Sequence, residues 1–265
     1  MKERYSQDRI RTLGLLLVAA IVVHVTYTFY VRPQAAGWLA QQQALQAADA
    51  GHKPSTSIWV IVKDPEQETA IILAIWALGL AVMKTFALGR HRRQLDAGLL
   101  RVPTGFRILP GDVREYSHKL EALPAGERDL IPARTIRRAL KRFGETANVQ
   151  DAATTVHDYC ESEAARLDSE LAIVRFCVWA IPAIGFVGTV RGIGNALAGA
   201  QLALRGDTSA VTSGLGVSFN STFVALIASI VLMYVINELQ LRQERLVLDT
   251  EMYVDDSLLS NLQSR

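Results

Sequence analysis

The chain has 265 residues, half of them hydrophobic and a fifth charged, with 28 Lys+Arg against 26 Asp+Glu and two cysteines. This apolar content excludes a largely disordered chain, two cysteines exclude a disulfide scaffold, and a net charge of +2 gives no reason to expect nucleic acid. The averages still admit an ordinary soluble enzyme; the distribution along the chain argues against one.

Residues 1–12 carry Lys2, Arg4, Arg9 and Arg11. Residues 13–31 then run without Lys, Arg, Asp or Glu, His24 being their one possible charge. Residues 69–88 are broken only by Lys84. Residues 176–190 are uncharged, Arg191 intervenes, and 192–204 are uncharged again; 208–237 form a further uncharged run. A bilayer core takes about 20 mainly apolar residues as helix, so four spans are predicted, at 13–31, 69–88, 173–199 and 214–237. One such run suits a buried helix of a soluble protein, and four do not. The first run also invites a signal-peptide reading, with Met-Lys-Glu-Arg before it and Ala35-Ala36-Gly37 after it. Its apolar core exceeds the roughly 7–15 residues of a signal h-region, so it reads as an uncleaved span.

Lys/Arg asymmetry sets the orientation. Residues 32–68 carry Arg32, Lys53 and Lys63, and 200–213 only Arg205, whereas 89–172 carry 14 Lys/Arg, with Arg90, Arg92, Arg93, Arg101 and Arg107 close behind the second span. The N-terminus, the segment 89–172 and the tail 238–265 are therefore expected in the cytoplasm, and 32–68 and 200–213 outside. Lys84 is expected to snorkel to the inner interface. Cys160 and Cys177 then fall on the reducing side and should stay unpaired. The fold class expected is an all-α membrane protein of four transmembrane helices, with a helical cytoplasmic bundle between spans 2 and 3 and a helical C-terminal tail.

Within 89–172, Pro103, Gly105, Pro110 and Gly111 break the chain, a short helix fits 113–123, and Pro132 suits a helix's first turn. Arg134, Arg137, Arg138, Lys141 and Arg142 share one face of that helix, and Ile136, Leu140 and Phe143 the other. From about Gln150 a helix is expected to run unbroken into the third span. Residues 90–142 sum to +7 and 143–172 to −6. Two bundle halves pairing with each other account for this; a basic face for anionic lipid or an acidic partner is the alternative.

His157, Cys160 and Glu161 fall on one helical face, but a metal site needs more ligands and no second cluster is evident. No phosphate-binding Gly loop, Gly-x-Ser-x-Gly or zinc-protease signature is present. No enzyme activity, metal or cofactor is expected.

The third span reads Ile181-Pro-Ala-Ile-Gly-Phe-Val-Gly-Thr-Val-Arg-Gly-Ile. Gly188, Gly192, Ala196 and Ala200 recur every fourth residue, a stripe that permits close helix approach. The fourth span offers Ser218, Ser221, Thr222, Ala225 and Ser229 on related faces. Plain helix packing, with the hydroxyls of Thr189 and Thr222 bonded back to their own helices, explains this as well as a polar interior does. Pro182 should kink its helix or free a carbonyl. Arg191, the one charge deep in a span, has three options: snorkelling, which is expected first, pairing with a partner-chain carboxylate, or acting on an ion path.

On that third-span stretch, and on Ser218-Phe-Asn-Ser-Thr-Phe-Val-Ala-Leu through Asn237, the sequence resembles the MotA/TolQ/ExbB proton-channel family. The likeness extends weakly into Glu251-Met-Tyr-Val-Asp-Asp-Ser-Leu-Leu and covers about 173–260; elsewhere only the layout is similar. Four spans with a long loop between the second and third resemble the MotA branch, whereas the threonines look more TolQ-like. The resemblance implies a homo-pentamer in the bacterial inner membrane around helices of a single-span partner (MotB, TolR or ExbD type), whose membrane Asp carries the proton. Thr189 and Thr222, with Ser218, would line that ion path, and Pro182 matches the MotA-type proline. Arg191 stands where ExbB-like members usually have Trp, so no role carries over to it.

The expected function is thus the pore-forming stator subunit of a proton- or Na+-driven motor. No Asp or Glu falls inside a predicted span, so the carboxylate would come from another chain. A charged Asp is costly in an apolar interior and protonation relieves the cost, so hydroxyls at one angular position favour the charged form there. Two other readings stand beside this one: a non-conducting membrane scaffold, and a small-solute transporter for which Pro182 and Arg191 are the support.

Overall fold

The computed structural model describes residues 2–49, 55–100 and 106–264, with side chains from residue 10 onward. Lys53, Arg101, Pro103 and Gly105, which entered the charge and breaker arguments, lie outside the described residues, as do the side chains of Lys2, Arg4 and Arg9. Among the described residues the chain is helical throughout, without a strand; an isolated bridge joins Ile108 and Leu262. Four helices are long and apolar enough to cross a membrane, Ile10–Ala48, Pro65–Ala97, Val149–Ala198 and Ser209–Asn261. The chain is an all-α, multi-pass membrane protein. It divides into two units, Met1–Ala81 with Ile173–Ile236, and Val82–Ala172 with Asn237–Arg265.

In the first unit, α1 (Lys2–Thr26) passes through one π-helical turn (Tyr27–Val31) into α2 (Arg32–Ala48). The turn has a local cause. Pro33 stands at the start of α2, where its ring crowds the carbonyl four residues back, and widening the helix relieves the clash. The turn leaves Tyr27 and Val31 buried with Val23, and Trp59, Val62, Ile71 and Ile72 pack on them. A short α3 (Ile58–Val62) precedes α4 (Pro65–Asp96). Pro65 after Asp64, with Glu66 and Glu68 in the first turn, is a strong helix start. The helix therefore begins before residue 69, where the apolar run starts. The Trp76 indole donates to the Thr12 carbonyl at 3.0 Å, tying α4 to α1. The unit is completed by α9 (Ala172–Ala198), α10 (Ala200–Ala203) and the first part of α11 (Ser209–Ser257). Large apolar side chains such as Phe29, Phe186, Phe219 and Ile230 are exposed, as a bilayer-facing surface requires.

The second unit contains α5 (Val113–Glu121), α6 (Ala125–Arg128), α7 (Ile131–Thr146) and α8 (Val149–Ser169). Pro132 sits in the first turn of α7, and Ile136, Leu140 and Phe143 are fully buried beside Val156 and Cys160 of α8. Arg138 lays its guanidinium over the Tyr159 ring of α8, 4.2 Å from the centroid, and Arg137, Lys141 and Arg142 point outward. Arg134 does not: it turns toward the buried Glu163 of α8 at 3.4 Å, and Glu163 also accepts from the Tyr159 hydroxyl and the Arg166 guanidinium, both at 2.6 Å. With Arg142–Asp151 at 3.4 Å, the basic helix and the acidic one pair across their interface. Two of the basic residues of α7 thus find acidic partners on α8 within the unit.

One local expectation needs correction. Within the helical stretch Val149–Ala198 a two-residue turn at Glu170 and Leu171 separates α8 from α9, tightened by the Leu171 N–H to the Asp168 carbonyl at 3.0 Å. No Gly or Pro marks it; Leu171 is fully buried there. Lys84 pairs with Glu170 at 2.9 Å, a residue of the segment 89–172 toward which it was expected to snorkel. Cys160 and Cys177 are both free and buried, and burial pushes the Cys160 thiol up to about 11.

Candidate functional site

Helices α9 and α11 meet without intervening side chains. A Cβ built on Gly192 would lie 2.5 Å from the Ser218 amide nitrogen and 2.6 Å from the Gly214 carbonyl, and one on Gly188 would overlap the Ser221 side chain. Backbone approach of this kind is what small residues permit. The stripe is displaced from the expected one at its end: Gly188, Gly192 and Ala196 are buried, but Ala200 belongs to the separate α10 and is exposed. Gly185 and Gly199 extend the contact instead, against Ala225 and Ala210.

Thr189 and Thr222 lie across this seam with their hydroxyls touching each other. Each is also within reach of the same two carbonyls, Gly185 on its helix (3.2 Å from Thr189, 3.4 Å from Thr222) and Ser218 on the other (3.3 and 3.4 Å). Two protons are thus shared among two hydroxyls and two carbonyls. The packing alternative, hydroxyls bonded to their own helices, is present as part of the arrangement, but each threonine also reaches across. Ser218 takes part through its carbonyl, and the residue is buried against Gly192. Because either hydroxyl can donate to the other, the pair can reverse its donor direction without moving a heavy atom.

Pro182 has no N–H for the carbonyl of Val178, four residues earlier. The Ser229 hydroxyl on α11 donates to that carbonyl at 3.0 Å, so the vacancy is filled from the neighbouring helix.

The first turn of α4 supplies what sequence reasoning missed. Glu66 takes the Arg191 guanidinium, with Nη2–Oε2 and Nε–Oε1 both 2.6 Å, and Asp64 lies 3.8 Å from the same group. Arg191 therefore neither snorkels alone nor waits for another chain: a fork-shaped cation meets an in-chain carboxylate. Gln67, fully buried, donates to the Ser221 hydroxyl at 3.4 Å. Glu68, also buried, holds His24 and Arg32, each at 2.7 Å. Three successive side chains reach α9, α11 and α1 with α2. The Asp-Pro-Glu start at residue 64 was the available signal, since it places these groups inside a helix that continues as a span.

His157, first of the three residues weighed as metal ligands, bonds Glu251 at 2.9 Å, and its pKa is raised by that bond; Cys160 is buried on α8.

Residues 127–252, from α6 through most of α11, match the model of the MotA/TolQ/ExbB proton channel family. No curated protein matches the chain. The seam between α9 and α11 falls wholly inside the matched stretch, and residues 127–252 of this four-span chain are therefore a MotA/TolQ/ExbB proton channel family domain.

Proposed function

We propose that the chain is the pore-forming subunit of an ion-driven motor. It would assemble as a homo-pentamer in a bacterial inner membrane, around a single-span partner of MotB, TolR or ExbD type that carries a membrane Asp. Residues 1–12, 89–172 and 238–265 then lie in the cytoplasm, 32–68 and 200–213 outside, and 13–31, 69–88, 173–199 and 214–237 span the bilayer. The observation that carries this reading is the Thr189–Thr222 hydroxyl pair, set in a glycine-lined seam within a proton-channel domain.

The carboxylates of this chain nearest the seam support the division of labour. Glu66 is held by Arg191, and Glu68 by His24 and Arg32. A carboxylate gripped by a guanidinium is held in place, so neither is free to travel with a proton. A partner Asp, charged while opposite the hydroxyls and neutral while crossing the apolar flanks, would couple each inward proton to a step of relative rotation.

The test is co-purification with a co-expressed single-span protein encoded beside this chain, counting of subunits by cryo-EM, and proton flux in proteoliposomes. Flux dependent on the partner's Asp is expected, with a loss of about a hundredfold in the Thr189→Ala, Thr222→Ala double variant, as two hydrogen bonds to a charged group are removed. Undiminished flux in that variant removes the threonines from the path; a complex that passes no protons leaves the scaffold reading.

A further inference from the structure

We propose that the chain contains its own water-filled inlet, which leads from a cavity in the first unit, lined in part by polar side chains, to the Thr189–Thr222 seam, with Asp64 and Gln67 holding the water that carries the proton. This rests on the conduction reading above.

The cavity measures about 570 Å³ and lies among α2, α3 and the beginning of α11, at the end proposed to face outward. Gln46, Lys63, Asp64, Asp207, Thr212 and Asn220 are among its lining residues, so amides, hydroxyls and charges share its wall with apolar groups such as Leu39, Val60 and Val217. Asp64 closes it from the α4 side. One oxygen of Asp64 is taken by Lys63 at 3.1 Å, with Arg191 at 3.8 Å; the other, Oδ2, is buried without a hydrogen-bond partner. Three residues on, one turn of helix, Gln67 donates through Nε2 to Ser221, and its Oε1 is likewise buried without a partner.

Both orphans are acceptors. Native proteins fill buried acceptors with a donor, and where the neighbourhood is polar and roomy the donor is water. Asp64 lines the cavity, and Gln67, one turn on, bonds Ser221, whose neighbour in the chain is Thr222. Lys63 pairs with Asp64, Arg191 with Glu66, and Arg32 with Glu68, which also bonds His24, so an excess proton meets these cations already compensated; Asp207 adds a further negative charge at the cavity. It enters as hydronium, and each water accepts one proton and releases one, with no covalent step. The Ser221 hydroxyl donates to the Val217 carbonyl at 2.8 Å and so presents lone pairs toward Gln67.

The test uses the full chain with its partner in proteoliposomes, Cys160 and Cys177 replaced by alanine, and Asn220→Cys as a reporter inside the cavity. A membrane-impermeant methanethiosulfonate is expected to label that cysteine from the outward side alone and to lower proton flux about tenfold. Gln67→Leu should lower flux about tenfold, the loss of one bridging hydrogen bond, with the labelling rate of Asn220→Cys unchanged as the check on folding; Gln67→Glu, which keeps an acceptor, should restore flux. No labelling from the outward side overturns the inlet. So does wild-type flux in labelled Asn220→Cys and in Gln67→Leu. A wild-type complex that conducts nothing overturns the conduction reading and the inlet with it, and is distinguished from the other failures by that control.

Discussion

The carboxylate of Glu66 on α4 grips the guanidinium of Arg191 on α9 through two bonds of 2.6 Å. Glu66 is the buried partner, with 11% of its side chain exposed against 39% for Arg191. Removing the cation therefore costs more than removing the pair, since an unpaired buried carboxylate is left behind. Arg191→Met should destabilise the protein by about 2 kcal/mol, discounted from the fully buried case because Arg191 is partly exposed. The double variant with Glu66→Gln should lose less than the two single variants added together. Detergent-unfolding midpoints of the four proteins measure the coupling, and additive losses would mean that the pair contributes none.

Ser229 and Pro182 are coupled through a carbonyl that neither owns. Ser229→Ala strands the Val178 oxygen and should cost about 1–2 kcal/mol. Pro182→Ala returns an N–H to the helix, so on that background the same serine substitution should cost under about 0.5 kcal/mol. The same unfolding assay reads both, and an equal cost on the two backgrounds would assign the serine's contribution to packing.

Ala147 ends α7 in the left-handed region, with φ at 51°, where its amide closes the helix onto the Phe143 carbonyl at 2.8 Å. A Cβ is strained there and glycine is not. Ala147→Gly should stabilise the second unit by about 1 kcal/mol, the opposite sign from a typical glycine substitution. Thermal unfolding of the full chain, followed by hydrogen exchange in α7 and α8, measures it.

His91 lies beyond the second predicted span, and its Nδ1 accepts from the Ile131 N–H at 3.1 Å, which requires the neutral ring. Burial, reinforced by Arg166, pulls its pKa from 6.5 to about 4. The unfolded chain thus binds the proton first. The stabilisation is full above pH 6.5 and declines as pH falls toward 4. Denaturation at pH 7 and pH 5 should show a loss in the wild type that is reduced in His91→Gln. An equal loss in both proteins would place the proton uptake elsewhere.

The four spans were legible because a bilayer imposes one requirement, some twenty apolar residues, that no other feature of the sequence imitates. Gly188, Gly192, Thr189 and Thr222 were legible through spacing and resemblance alike. The charges at the head of α4 were not, because hydropathy marks where apolar residues begin, whereas the helix begins four residues earlier, at Pro65. Glu66, Gln67 and Glu68 stood just outside the window and so outside the reasoning about Arg191. The turn at Glu170 and Leu171 had no signal because its residues are ordinary helix formers; only the burial of Leu171 reveals it. The inward turn of Arg134 was invisible for a related reason, since one helix's pattern does not say which of its basic residues finds a carboxylate on the next.

The first turn of α4 has a mechanical consequence. Glu66 pins α9, Gln67 pins α11, and Glu68 pins α1 and α2, while glycine contact leaves α9 and α11 no gap to close. Sliding one of these helices past another would break a charge-assisted bond or force a side chain into backbone. The wall is stiff in shear, and a torque exerted on one of its helices is borne by all of them.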